Sequence, residues 1–444
     1  PRPTSPWPVR PAGPVSACPA SPVGWAEPVS SVTTIWRVVL ARPARSLAAL
    51  VALLVLAAAW ALAAHELWRS TVPSSLQLPH VAARNLFSAS FLSRSASFER
   101  FLDIDALLGQ LALLVVLALY ARRGQWLMRE SAAGRIGTGM MLGMLGFGLA
   151  WIAEVPFELA GVWWERRHGI SYQGYVSALF SSFFSLGATF LFASLALAVT
   201  MAIAGVLRRS WWALAAPIFA ALALLSTFLS IYLIPNTHPL RAEPTAADVR
   251  VLARKESIPG TKAEVQDVNR ETTAPNAESV GFGSTRRLIL WNTLLDGRFD
   301  RREIDVVAAH ELGHLAHHHT LKRVGWILLF LLPATALIAL FTRRRGGLAR
   351  PEAVPVALFV FVLLQFLATP LMNVVSRHEE AEADWSALRA TRDPVAARSL
   401  FVKLAKTSLA NPNPPTWSYV LDDDHPTIVQ RVGMVSAWQA REAR

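Results

Sequence analysis

The sequence predicts a mainly α, polytopic membrane protein with about seven transmembrane helices and a small α+β domain outside the bilayer. Three observations carry this. The 444-residue chain is 53% hydrophobic with a mean hydropathy of +0.35, more apolar than soluble domains usually are. Seven apolar stretches lie near 47–64, 106–120, 138–157, 178–206, 212–234, 324–341 and 354–372. With their flanks, most approach the roughly 20 residues that a spanning helix needs. Two polar regions, 236–323 and 373–444, are long enough to fold.

Taken in order, residues 1–34 are rich in Pro, Ser and Val without apolar periodicity and read as a disordered tail. Five spans are expected within 35–235, the first an anchor rather than a cleaved leader. Two more are expected within 324–372. An even number of spans separates the polar regions, so they lie on one side and can build one domain together.

The net charge of +12 does not point to nucleic acid. The arginines cluster beside apolar segments, at Arg122–Arg123, Arg208–Arg209 and Arg343–Arg345, as in membrane loops. Loops after the second, fourth and sixth spans carry them, Arg129 included. The positive-inside rule therefore puts those loops and the N-terminus in the cytosol. Cys18 is the only cysteine, which excludes an internal disulfide and a cysteine metal site. Lys is scarce beside Arg, as in a GC-rich genome, which suggests a bacterial plasma membrane.

In "GFGSTRRLILWNTLL", residues 281–295, a Gly-rich turn precedes a strand at about 286–291. Asp300 with Glu303 three residues on forms a capping box. A helix from Ile304 to His319 should follow. "VVAAHELGHLAHHHT", residues 306–320, then holds five of the eleven histidines. His310 and His314, four apart, share a helical face and can ligate one Zn²⁺. Glu311 between them suits a general base. This is the HExxH arrangement of zinc peptidases of the gluzincin type. A metzincin would carry Gly at 317 and a ligand at 320, where this chain has His317 and Thr320. His317, His318 and His319 read as a polar helix end, with a secondary metal contact as the alternative. A third ligand is needed. Glu379, Glu380, Glu382 and Asp384 are candidates on a predicted helix. Glu380 and Asp384 share a face, so one can bind zinc and the other orient a ligand histidine.

HELGH at 310–314 followed by "NVVSRHEEAEAD" at 373–384 resembles the membrane zinc peptidases of the CAAX prenyl protease type 1 family and, more distantly, HtpX. Asn373, Ser376, Arg377, Glu380, Ala383 and Asp384 match the family pattern. The resemblance implies Glu380 as the third zinc ligand, with Asp384, Asn373 and Arg377 behind it, and leaves Glu382 dispensable. "NAESVGFGSTRRLILWNTLL" resembles the segment before the zinc helix. It implies a substrate strand marked by Asn276, Arg286, Leu288 and Leu290. "DDDHPTIVQRV" resembles the C-terminal His-Pro…Arg motif, so His425 and Arg431 would face the substrate or the developing oxyanion. The family also implies a cytosolic catalytic domain, against the arginine distribution. The expected function is a zinc-dependent membrane endopeptidase with one Zn²⁺ per chain, acting on a peptide or membrane-protein substrate. A zinc transporter or zinc-regulated scaffold is the alternative.

Overall fold

The computed structural model describes residues 31–124, 133–208 and 210–443. Cys18, most of the expected tail, Arg129 and Arg209 lie outside the described residues. The chain divides into units of 1–61 and 62–444. The first holds most of helix α1 (Ser31–Leu67), which starts inside the stretch expected to be disordered. Extending an existing helix costs little compared with nucleating one, so a long apolar helix can recruit its polar flank.

In the second unit α2 (Ala89–Arg123), α3 (Gly134–Arg167), α4 (Tyr175–Leu207) and α5 (Trp211–Ser230) follow. The first polar region folds as β1 (Thr237–Pro239), α6 (Thr245–Lys255), β2 (Lys262–Gln266), β3 (Ala277–Val280), β4 (Arg287–Trp291) and α7 (Arg301–Ala316). Then come α8 (His319–Thr342), α9 (Val354–Thr391), α10 (Pro394–Ser408), α11 (Thr416–Leu421) and α12 (Ile428–Glu442). Among the described residues six helices are long and apolar enough to cross a membrane: α1, α2, α3, α5, α8 and α9. The apolar stretch Ala193–Leu207 belongs to the 33-residue α4. The protein is a multi-pass membrane protein with about seven spanning helices.

The helices outrun the apolar stretches that signal them. α2 starts at Ser88, whose hydroxyl caps the Phe91 amide at 3.3 Å. α9 runs 38 residues without interruption, so the boundary expected at 372–373 falls inside one helix. Beyond the apolar stretch, α9 is rich in Glu, Ala and Arg, which favour helix.

The sheet has the order β1-β2-β4-β3. β2 and β4 are parallel, and both outer pairs are antiparallel. β4 is therefore an interior strand. Its Leu288, Ile289 and Leu290 are fully buried, the continuous apolar pattern of a strand covered on both faces. This corrects the expectation that 286–291 offers a free edge to substrate, because both edges of β4 are already paired. Leu288 and Leu290 are core residues. Asn276 and Arg286 serve the sheet through their carbonyls, which accept from the amides of Trp291 and Lys262. The terminal strand beside β4 is β3, and α7 packs against it. One core, including Leu290, Leu312, Leu388, Leu400 and Val432, joins the sheet to α7, α9, α10 and α12.

Candidate metal centre

The site begins with the cap of α7. The Asp300 carboxylate accepts from the Glu303 amide at 3.0 Å, and Glu303 accepts from the Asp300 amide at 2.8 Å. Such a cap contributes about 1 kcal/mol. Buried Glu303 also holds Lys403 Nζ at 2.7 Å and Ser399 Oγ at 2.6 Å, which ties the start of α7 to α10. Three turns on, α7 meets α9 at Gly313. A Cβ there would stand 3.0 Å from Ser386 Cβ and 3.4 Å from Ala383 Cα. Even a methyl group there would press on Ser386 and make the neighbouring helix give way slightly.

That approach brings Glu380 of α9 onto the two histidines of α7. Nε2 of His310 lies 3.2 Å from Nε2 of His314 and 3.1 Å from Glu380 Oε2. Nε2 of His314 is 3.4 Å from Glu380 Oε1. A tetrahedral ion bound at the usual imidazole distance of about 2.0–2.1 Å sets its donor atoms roughly 3.3 Å apart. The two nitrogens and the carboxylate fit such an ion, and among the described residues they form the one group of three that can hold a metal.

Each histidine is held from behind. His310 Nδ1 meets Asp384 Oδ1 at 2.9 Å. Arg431 grips the same carboxylate with Nε at 2.8 Å and an Nη at 2.6 Å. Its guanidinium lies over Phe401, 4.3 Å from the ring centre. Sequence placed Arg431 on the substrate side; instead Asp384 takes a bidentate grip from it, so Arg431 acts through Asp384. In the metal-free chain burial opposes a charge on His310. The hydrogen bonds to Asp384 and Glu380 outweigh burial and push its pKa up to about 10.

The predicted helix to His319 breaks early. α7 ends at Ala316, and His318 takes the left-handed conformation with φ of 56°. On an unbroken helix His319 would lie about 140° around the axis from His314. The break turns it back instead. His319 Nδ1 sits 2.8 Å from His314 Nδ1, and His319 Nε2 sits 3.0 Å from Glu382 Oε2. His319 is only 1% exposed, so it is no solvated, cationic helix end. Glu382, expected to be dispensable, is also 1% exposed. It further accepts from Lys322 Nζ at 3.1 Å and the Thr71 amide at 2.6 Å. Glu379 is likewise buried and meets Arg323 Nε at 2.9 Å.

Comparison with known proteins bears on the family and the fold. Residues 239–439 match the model of peptidase family M48. These residues, a little under half of the chain, are similar to that family. It is 28% identical over 239 residues to the uncharacterized metalloprotease YhfN of Bacillus subtilis, covering 51% of this chain and 56% of that one. It is 28% identical over 192 residues to a CAAX prenyl protease 1 homolog of Oryza sativa, covering 41% and 45%. The chain thus spans about half the length of these curated relatives. In fold it matches the crystal structure of S. mikatae Ste24p with a TM-score of 0.70 and 16% identity, over 85% of this chain and 96% of that one.

The remaining predicted residues stand as follows around the candidate centre. His425 Nε2 is 3.2 Å from Glu380 Oε2, and its Nδ1 is 2.6 Å from Asp424. Its side chain is half exposed. Asn373 and Arg377 do not reach the metal donors' side chains. Asn373 donates to the Val420 carbonyl at 3.4 Å, and Arg377 to those of Tyr419 and Asp423 at 2.9 and 2.5 Å. They hold the segment that leads to His425. Glu311 is partly exposed and has Glu278 of β3 as a charged neighbour. Burial and then repulsion from Glu311 raise the Glu278 carboxyl. Sequence reasoning missed Glu278, set Glu382 aside as dispensable and read His319 as a polar helix end with a secondary metal contact as the alternative. Only the spacing of His319 after HELGH hinted at its place beside His314.

Gly313→Val is expected to cost about 1–3 kcal/mol of packing and to lower metal content at fixed free metal. Elemental analysis beside thermal melts tests this, and unchanged content would uncouple the helix contact from the site. A second expectation concerns pH. A ligand imidazole must be neutral, so the His310 proton must leave. Metal affinity of the stripped protein should rise about tenfold per pH unit below its pKa. A flat affinity between about pH 6 and 8 would mean that His310 is already neutral.

Proposed function

We propose that the chain is a zinc-dependent membrane endopeptidase in which His310, His314 and Glu380 hold the ion and Glu311 is the general base. The reading rests on one observation above others. Two imidazole nitrogens and a carboxylate stand 3.1–3.4 Å apart, with the HExxH glutamate beside them. Zinc held there would act as a Lewis acid, making water acidic and polarising a peptide carbonyl. Glu311 takes the proton of the attacking water and returns it to the nitrogen of the leaving amine. His425 is positioned to donate to the developing oxyanion. Asp424 holds its Nδ1, and its Nε2 points toward the metal donors. Arg431 and Asp384 keep His310 in the tautomer with a bare Nε2. An extended peptide can add to the sheet at β3, with Glu311 next to its Glu278. The paired strand β4 plays no part in that docking.

The CAAX prenyl protease name belongs to the relatives. For this chain the proposal is peptide-bond hydrolysis in a membrane protein or membrane-bound peptide. A zinc transporter gains no support. Its donors should lie within the spans, whereas HELGH precedes α8 and Glu380 follows the apolar stretch of α9.

Glu311→Gln is expected to abolish cleavage of an unfolded polypeptide by the purified protein and to leave bound zinc in place. Near-normal turnover would remove Glu311 from the mechanism. Chelation of the wild-type protein should stop cleavage, and added zinc should restore it. Glu380→Ala should lose zinc and activity together, measured on the same preparation. Full zinc content in that variant would move the third ligand elsewhere.

A further inference from the structure

We propose that His319 and Glu382 are positioning residues for the metal ligand His314, fixing it in the one tautomer that presents a bare Nε2 to the ion. The inference rests on the metal-centre reading above and adds a second support to it, unlike the one behind His310.

The hydrogen positions follow from the partners. Glu382 is a buried carboxylate that takes the Thr71 amide on Oε1 and Lys322 on Oε2. With those donors in place it accepts and does not donate. His319 Nε2, 3.0 Å away, must therefore carry the hydrogen. A neutral His319 is then bare at Nδ1, which accepts from His314 Nδ1 at 2.8 Å. His314 carries its hydrogen at Nδ1, so its Nε2 lone pair is free. That atom is the one lying 3.2 Å from His310 Nε2 and 3.4 Å from Glu380 Oε1. A hydrogen on His319 Nδ1 would instead oppose the one on His314 and force it toward the metal-facing nitrogen.

The backbone is bent to make this contact. His318 adopts a left-handed conformation, which a non-Gly residue takes only at a cost. That turn is what carries His319 back to His314. The carboxylate end of the chain is in turn held by the segment after α1, through Thr71, and by Lys322, whose ammonium also donates to the Arg69 carbonyl at 3.0 Å. His319 would do for His314 what Asp384 does for His310, with the negative charge set one imidazole further back.

The test is zinc affinity of the purified full-length chain, by competition with a chromophoric chelator, beside the melting temperature of the metal-free protein. His319→Leu fills the space without an acceptor and is expected to weaken zinc binding about 10–100-fold, the usual range for partners of a ligand histidine. His319→Asn places an amide oxygen one bond beyond Cγ, where Nδ1 stands, and is expected to recover most of that loss. Wild-type affinity in His319→Leu would overturn the proposal. So would equal losses in the Leu and Asn variants, which would make the ring a packing element only. His314→Ala serves as the marker for the underlying reading. If it too binds zinc like the wild type, the metal assignment fails, rather than the role of His319.

Discussion

The centre depends on how closely two helices approach. Glu380 belongs to α9 and the two histidines to α7, and nothing in the chain's order brings them together. At Gly313 the α7 backbone comes so near α9 that even a methyl group would press on Ser386. In the turns of α9 before Ala383, Glu380 faces the two histidines, Glu379 meets Arg323, Glu382 meets Lys322 and His378 stacks on Trp68. Moving α9 outward by the width of a side chain would carry Glu380 and Asp384 away together, since both hang on the same face. The small residue inside the HELGH stretch is thus a spacing device, and the core around Leu312 and Leu388 holds the approach in place.

The two histidines of the proposed metal centre reach the same end by different means. His310 rests on a carboxylate that is itself neutralised by a partly buried arginine. His314 rests on a second imidazole, and only then on a carboxylate. Both arrangements leave Nε2 as the metal-facing atom. Both also draw on elements far along the chain: α12 through Arg431, and the segment after α1 through Thr71. Removing one partner of a buried ionic group leaves the other uncompensated, which costs more than the pair contributes. The supports are therefore expected to be as sensitive to substitution as the ligands.

Local chemistry was legible in the sequence; contacts across elements were not. Apolar length announced the spans, because a bilayer demands it. The capping box at Asp300 and Glu303 and the four-residue spacing of His310 and His314 are local rules, and the structure has both the cap and the shared face. The position of β4 was misread because an all-apolar strand looks alike from sequence whether it ends a sheet or lies within it. Arg431 was misread because a guanidinium near a site suits an oxyanion or a carboxylate equally well. His319 was misread because a single left-handed residue resets the helical phase, and no side chain at 318 announces that. Glu382 was set aside for a related reason. A helix with four acidic residues in six reads as solvated unless its buried partners are known.

The spanning helices also brace the site. The segment after α1 reaches it through Trp68, which stacks on His378 at 4.0 Å, and through Thr71. The turn after α3 pairs with the first polar region, where Ser171 bridges Thr272 and the Thr273 amide donates to Ile170. The start of α2 joins the second polar region, with Glu99 accepting from the Asn411 amide at 2.6 Å. Connections after odd-numbered spans thus converge on the metal-bearing elements. The arginine-rich connections follow α2, α4 and α8, at the other ends of those helices. Alternation of this kind is what a chain must do when successive spans run in opposite directions. On that alternation, the positive-inside rule would put the arginine-rich loops on the face opposite the proposed metal centre.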